Sequence, residues 1–177
     1  METAKRRRKG AKYFRISGML LAYLTYEAYI NFLGGRFASD VWENERAFFA
    51  KKHYRGLEGK LKLLSERIPI VGIKKDQRPY QTIRNLKVLR DFLSHGKTDK
   101  YEKTIIHHRD EEPLLWPDGK LDKLVTPELA NRAALDVREF IEFLHAQAVK
   151  HIKDIWFGNE PLGGIRWHAS SDSKVKA

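Results

Sequence analysis

The strongest constraint on the fold is the first apolar stretch, Ile16 to Leu33, which reads as a helix with apolar side chains nearly all the way round. A helix with one apolar stripe sits on a surface. One that is apolar on almost every side must be enclosed by other elements or by lipid. Glu27 stands in the middle of the stretch and Asn31 follows four residues later, which is too polar for a bilayer core. The basic run Lys5 to Lys9 gives a superficial likeness to a signal peptide, but no small-x-small cleavage site follows. The stretch therefore reads as the central helix of a soluble bundle, with no membrane span and a cytoplasmic location.

The rest of the chain is also helical in pattern. The first helix runs from about Tyr13 to Leu33 and stops at Gly34-Gly35. A second opens at Ser39-Asp40, with Glu43 as capping partner, and continues to about Arg67 with a break at Gly56 or Gly59. After a connector over Ile68 to Gln77, a third helix starts with Pro79 and ends at Gly96, with Ile83, Leu86, Leu89 and Leu93 on its core face. The last opens with Thr126 as N-cap and Pro127 at its first position. Its stripe is Ala130, Ala133, Val137, Ile141, Leu144, Ala148, Ile152 and Ile155, ending near Phe157. Residues 97–125 are too long for a structureless connection, so a small hairpin turning at Asp118-Gly119 is expected there. The fold class is all-α: a bundle of four to five helices with a small β-hairpin or irregular insert before the last long helix. Residues 1–12 read as a basic disordered arm, 13–160 as one helical domain and 161–177 as a flexible tail.

Charge narrows the partners. The formal net charge is +11, and it is unevenly spread. Residues 1–12 hold six basic and one acidic side chain, and residues 51–100 hold fourteen basic and five acidic, while the rest of the chain is slightly negative. Such a balance suits a polyanion. The absence of cysteine excludes a disulfide framework, a thiolate metal site and a cysteine nucleophile.

Most catalytic signatures are missing. There is no glycine-rich phosphate loop, no HExxH and no GxSxG elbow. His107-His108 lacks a helically spaced histidine partner and reads as solvated loop, so no metal or cofactor is implied. Arg90 and His95 remain. Arginine grips a phosphate with two donors, and histidine exchanges a proton near neutral pH. Together they suffice for metal-free RNA cleavage, in which the 2′-hydroxyl attacks the adjacent phosphate. Positions five apart on a regular helix diverge by about 140°, so the pair needs a bent helix end, a second chain, or both. Arg84, Lys87 and Lys97 lie in the same basic stretch as candidate RNA contacts. Glu27 and Asn31 share one face of the first helix, as a buried polar pair or as support behind an active site.

Arg90-Asp91-Phe92-Leu93-Ser94-His95, followed by Gly96, resembles the mark of the HEPN superfamily: an arginine, a polar residue, and a histidine after four to six intervening residues. The helix around Ala22 to Asn31 is similar to that family's first helix, and Gly56 to Leu64 to its second, so the likeness spans about residues 13–157. Arg46…His53 and Arg138…His145 also satisfy the spacing, but each pair falls inside an expected long helix. Only Arg90/His95 ends a helix, precedes glycine and lies in the most basic stretch.

The resemblance implies an endoribonuclease (a hydrolase or nuclease), acting as a toxin or in antiviral defence. Arg90 would hold the scissile phosphate, His95 would act as general acid or base, and Asp91 would orient one of them. It also implies a homodimer in which both chains' Arg90 and His95 meet, and a neutralising antitoxin or defence-system partner. Other members bind RNA or a protein partner without catalysis. Attachment to an anionic membrane surface through the arginine-rich arm is a further reading of the charge, and duplex DNA another, although no helix-turn-helix pattern stands out.

Overall fold

The computed structural model describes residues 2–96, 119–151 and 161. These residues are mostly helical, and no strand occurs among them. Four helices carry the core: α1 (Glu2–Phe37), α4 (Gly56–Arg67), α5 (Tyr80–Ser94) and α7 (Pro127–Val149). Two short helices, α2 (Ser39–Trp42) and α3 (Glu45–Phe49), and a 3-10 turn at Lys52–Tyr54 connect α1 to α4. One more short helix, α6 (Lys120–Leu124), leads into α7. No helix among the described residues is long and apolar enough to cross a membrane.

The middle of α1 is the hub of the bundle, packing against α7, α4 and α5. Met19, Tyr23, Tyr26, Ile30 and Leu33 are buried there, against Leu61 and Leu64 of α4, Leu86 and Leu89 of α5, and Ile141 and Leu144 of α7. Each such side chain contributes roughly 1.5–3 kcal/mol relative to exposure. Enclosure is incomplete, however, because Phe14, Leu21 and Leu24 on the outer face of α1 stay exposed.

Several boundaries follow from packing rather than local pattern. α1 begins at Glu2 and passes through Gly34-Gly35 to Phe37. Gly34 serves close approach instead of termination: a Cβ there would lie 2.0 Å from the Trp42 ring. The stretch after Ser39 is not one helix. Val41, Phe49, Leu63 and Ala38 form a small second cluster, with Trp42, Phe48 and Tyr54 packed against it. On a straight helix Tyr54 would face away from Val41 and Phe48, so the chain must break to bring all of them together. Asp40 makes no cap; its carboxylate accepts from Arg67 Nη2 at 2.8 Å.

The end of the chain follows its local signals more closely. Thr126 caps α7, its hydroxyl accepting from the Leu129 N–H at 3.1 Å, with Pro127 following. The predicted stripe is buried at Ala133, Val137, Ile141, Leu144 and Ala148, whereas Ile152 and Ile155 lie outside the described residues. Residues 120–124, expected as the return strand of a hairpin, form α6. Asp122 explains this, since its carboxylate accepts from the Gly119 N–H at 3.0 Å and closes the first turn. The remainder of the expected insert, 97–118, lies outside the described residues, as do His107 and His108.

Candidate functional site

α5 is anchored to α7 by a buried polar clamp. Asp136, on α7, is 1% exposed and accepts from Arg78 Nε at 2.9 Å and from the fully buried Thr82 hydroxyl. Burial opposes ionisation of Asp136, but the bonds from Arg78 and Thr82 outweigh it and hold the carboxyl below its ordinary range. The clamp sets the position of the N-terminal end of α5. The candidate residues sit at the other end.

There, Arg90 and His95 line one cleft of about 650 Å³ between α1, α4 and α5. The helix ends at Ser94 and His95 caps it, its N–H still donating to the Asp91 carbonyl at 3.2 Å. His95 has φ −95° and ψ 1°, and Gly96 turns the chain with φ +55°. A left-handed residue costs a glycine little, which explains Gly96 directly after the histidine. Both residues thus line one cleft within a single chain.

Arg90 is held on three sides. Its Nη2 donates to Glu27 at 3.1 and 3.4 Å, its Nη1 donates to Asp91 Oδ1 at 3.0 Å, and its guanidinium lies over the Tyr23 ring at 5.8 Å. Partial burial works against the Arg90 charge, but Glu27 and Asp91 overcome it and fix the cation. Asp91 also accepts from Lys87 Nζ at 2.7 Å. Burial would raise its carboxyl, yet the bonds from Lys87 and Arg90 bring it below the usual carboxylate range. Burial pushes the Tyr23 hydroxyl well above its ordinary value, and the Glu27 charge adds to the effect.

The other sequence candidates divide. Glu27 and Lys87 border the cleft. Asn31 stands one step back: its carbonyl accepts from Lys60 Nζ at 2.8 Å, and Lys60 lines the cleft while pairing with Glu45 at 3.3 Å. Arg84 does not reach this cleft; it borders a small neighbouring recess beside Tyr26 and Tyr80. Lys97 lies outside the described residues. The rival pairs fall elsewhere. Arg46 is on α3 and His53 in the 3-10 turn beside Lys62, while His145 shares a 2.8 Å hydrogen bond with Tyr29 on the α1–α7 side.

Sequence reasoning missed Arg55 and Glu58, which line the cleft from the start of α4 and form no ion pair among the described residues. It also overstated the charge. Arg55, Lys60, Lys87 and Arg90 face Glu27, Glu58 and Asp91, so the cleft is only mildly cationic. Three members of the basic stretch are engaged elsewhere: Arg67 with Asp40, Arg78 with Asp136 and Lys62 with Glu66. Among the described residues, no three His, Asp or Glu side chains converge as a metal cluster would.

No protein-family model, no curated protein and no solved structure matches this chain.

Proposed function

We propose that the cleft is the active site of a metal-independent endoribonuclease of the HEPN type. One observation carries this reading: Arg90 and His95, the latter at the end of α5, line one cleft together with Arg55. The three bonds to Glu27 and Asp91 leave two of the five guanidinium N–H donors of Arg90 for a phosphate oxygen. Glu27 and Asp91 orient that group in advance, which is how a site stabilises charge as it develops.

In the proposed step the ribose 2′-oxygen forms a bond to the neighbouring phosphorus and loses its proton. The bond from phosphorus to the 5′-oxygen breaks, and that oxygen gains a proton. His95 serves one of these two transfers and water the other. Arg90 neutralises the phosphorane as its charge grows. The partner is RNA, and the resemblance supports a toxin or antiviral-defence role with a neutralising partner.

A second reading, a non-catalytic module that binds RNA or a protein, is favoured by the ion pairs that already occupy Arg90. Incubating the purified chain with RNA in EDTA separates the two. The nuclease cleaves, and Arg90→Ala and His95→Ala each lose at least two orders of magnitude in rate. The binding module retains RNA in a strongly salt-dependent way without cutting it, and its two variants match the unsubstituted chain.

A further inference from the structure

Cleavage by a 2′-hydroxyl moves two protons, one off the attacking oxygen and one onto the leaving 5′-oxygen. Those oxygens lie roughly in line on opposite sides of the phosphorus, so the two transfers need groups on opposite sides of the site. The cleft has two walls to match. α4 and α5 each pack on α1, which forms the floor between them. Tyr23 and Glu27 belong to the floor, His95 ends the α5 wall, and Glu58 stands on the α4 wall.

Three carboxylates line the cleft, and two of them are engaged. Glu27 and Asp91 both hold the Arg90 guanidinium, and Asp91 also accepts from Lys87. Glu58 carries no hydrogen bond or ion pair among the described residues. It also borders the small recess lined by Tyr23, Tyr26 and Tyr80. All three of these side chains are buried, and none of their hydroxyls bonds to another described residue. A buried tyrosine hydroxyl ordinarily has such a partner. The recess, of about 10 Å³, has room for one water, which suits phenols and a carboxylate that meet there. Burial pushes all three phenols above their ordinary value, and the Glu58 charge adds to each, so they stay protonated and serve as donors.

We infer that Glu58 is the proton acceptor of this reaction and His95 the donor, an assignment that rests on the nuclease reading of the cleft. A carboxylate accepts, whereas an imidazolium gives up its proton. The 2′-oxygen forms its bond to phosphorus, and its proton passes through the water of the proposed step to the Glu58 carboxylate. On the other side the bond from phosphorus to the 5′-oxygen breaks, and the His95 imidazolium protonates that oxygen. The products are a 2′,3′-cyclic phosphate and a 5′-hydroxyl, with Glu58 protonated and His95 neutral. Proton exchange with solvent then restores both groups. Arg90, between the two walls, stays charged throughout.

The leaving group tells acceptor from donor. One short RNA carries the ordinary 5′-oxygen at the cut site, and a second carries sulfur in that bridging position, which departs as thiolate without needing a proton. His95→Ala should lose at least two orders of magnitude on the oxygen substrate and recover to within about tenfold of the unsubstituted chain on the sulfur one. Glu58→Gln should lose about two orders of magnitude on both. It should also bind an uncleavable 2′-deoxy analogue no more weakly than the unsubstituted chain and keep its helical circular dichroism. Full activity in Glu58→Gln, or its rescue by sulfur, overturns the inference and leaves the Arg90–His95 nuclease standing. A loss in Glu58→Gln that is matched by weaker binding or lost helicity overturns it too. If the unsubstituted chain cuts neither substrate, the nuclease reading itself fails and takes the inference with it.

Discussion

Asp136→Ala should destabilise the bundle by about 2–3 kcal/mol. The Thr82 hydroxyl is fully buried and donates to this carboxylate, and a hydrogen bond to a charged acceptor is worth about 1.5–3 kcal/mol. Arg78 adds nothing to the figure, since its side chain is 54% exposed and regains water when released. For a chain of this size, the loss lowers Tm by about 4–12 °C. Asp136→Asn keeps an acceptor for Thr82 and should cost roughly half as much. Chemical denaturation at a series of pH values adds a signed test. The folded-state carboxyl is depressed, so its stabilisation is complete above the unfolded carboxylate value near 4 and is lost as pH falls through the folded value. The gap between Asp136→Ala and the unsubstituted chain should be widest at pH 7 and narrow in acid. A gap under 0.5 kcal/mol at pH 7, or one that stays constant down to pH 3, would refute the clamp.

Two adjacent glycines should behave in opposite ways. Gly34→Ala puts a Cβ into the Trp42 ring and should cost about 1–3 kcal/mol, whereas Gly35→Ala meets nothing within 4 Å and should add about 0.5–1 kcal/mol, both read by urea denaturation. Arg55→Ala should weaken RNA binding and reduce the salt slope of log K by about 0.7, as expected for one lost phosphate contact on a single strand. Arg84→Ala, outside the cleft, should leave both unchanged in the same fluorescence titration.

What was legible in the sequence followed a physical division. Signals confined to one turn held: Thr126-Pro127 opens α7, and Gly96 marks where α5 gives way to His95. Glycines and polar residues with distant partners misled. Gly34 reads as a helix stop, but it makes room for Trp42 eight residues on; Asp40 reads as a cap, but it belongs to Arg67. Asp122, an acidic residue like any other in the sequence, closes the first turn of α6 where a strand was expected. The cleft was legible only along α5 and part of α1. Glu27 meets Arg90 across 63 residues, and Arg55 just before α4 and Glu58 within it arrive only because the chain breaks before Gly56. No periodicity announces such a meeting. Net charge was a poor guide for a related reason, since intramolecular ion pairs engage six of the fourteen central lysines and arginines before any ligand is present.

The central claim is a reaction, so the ends of its products test it most directly. In EDTA, RNA exposed to the protein should yield fragments ending in 2′,3′-cyclic phosphate with 5′-hydroxyl partners. A substrate carrying 2′-deoxyribose at the cut site should stay intact, and so should RNA exposed to Arg90→Ala or His95→Ala. Fragments with 5′-phosphate ends, cutting of the 2′-deoxy substrate, or cutting that survives both substitutions would contradict the assignment of this cleft.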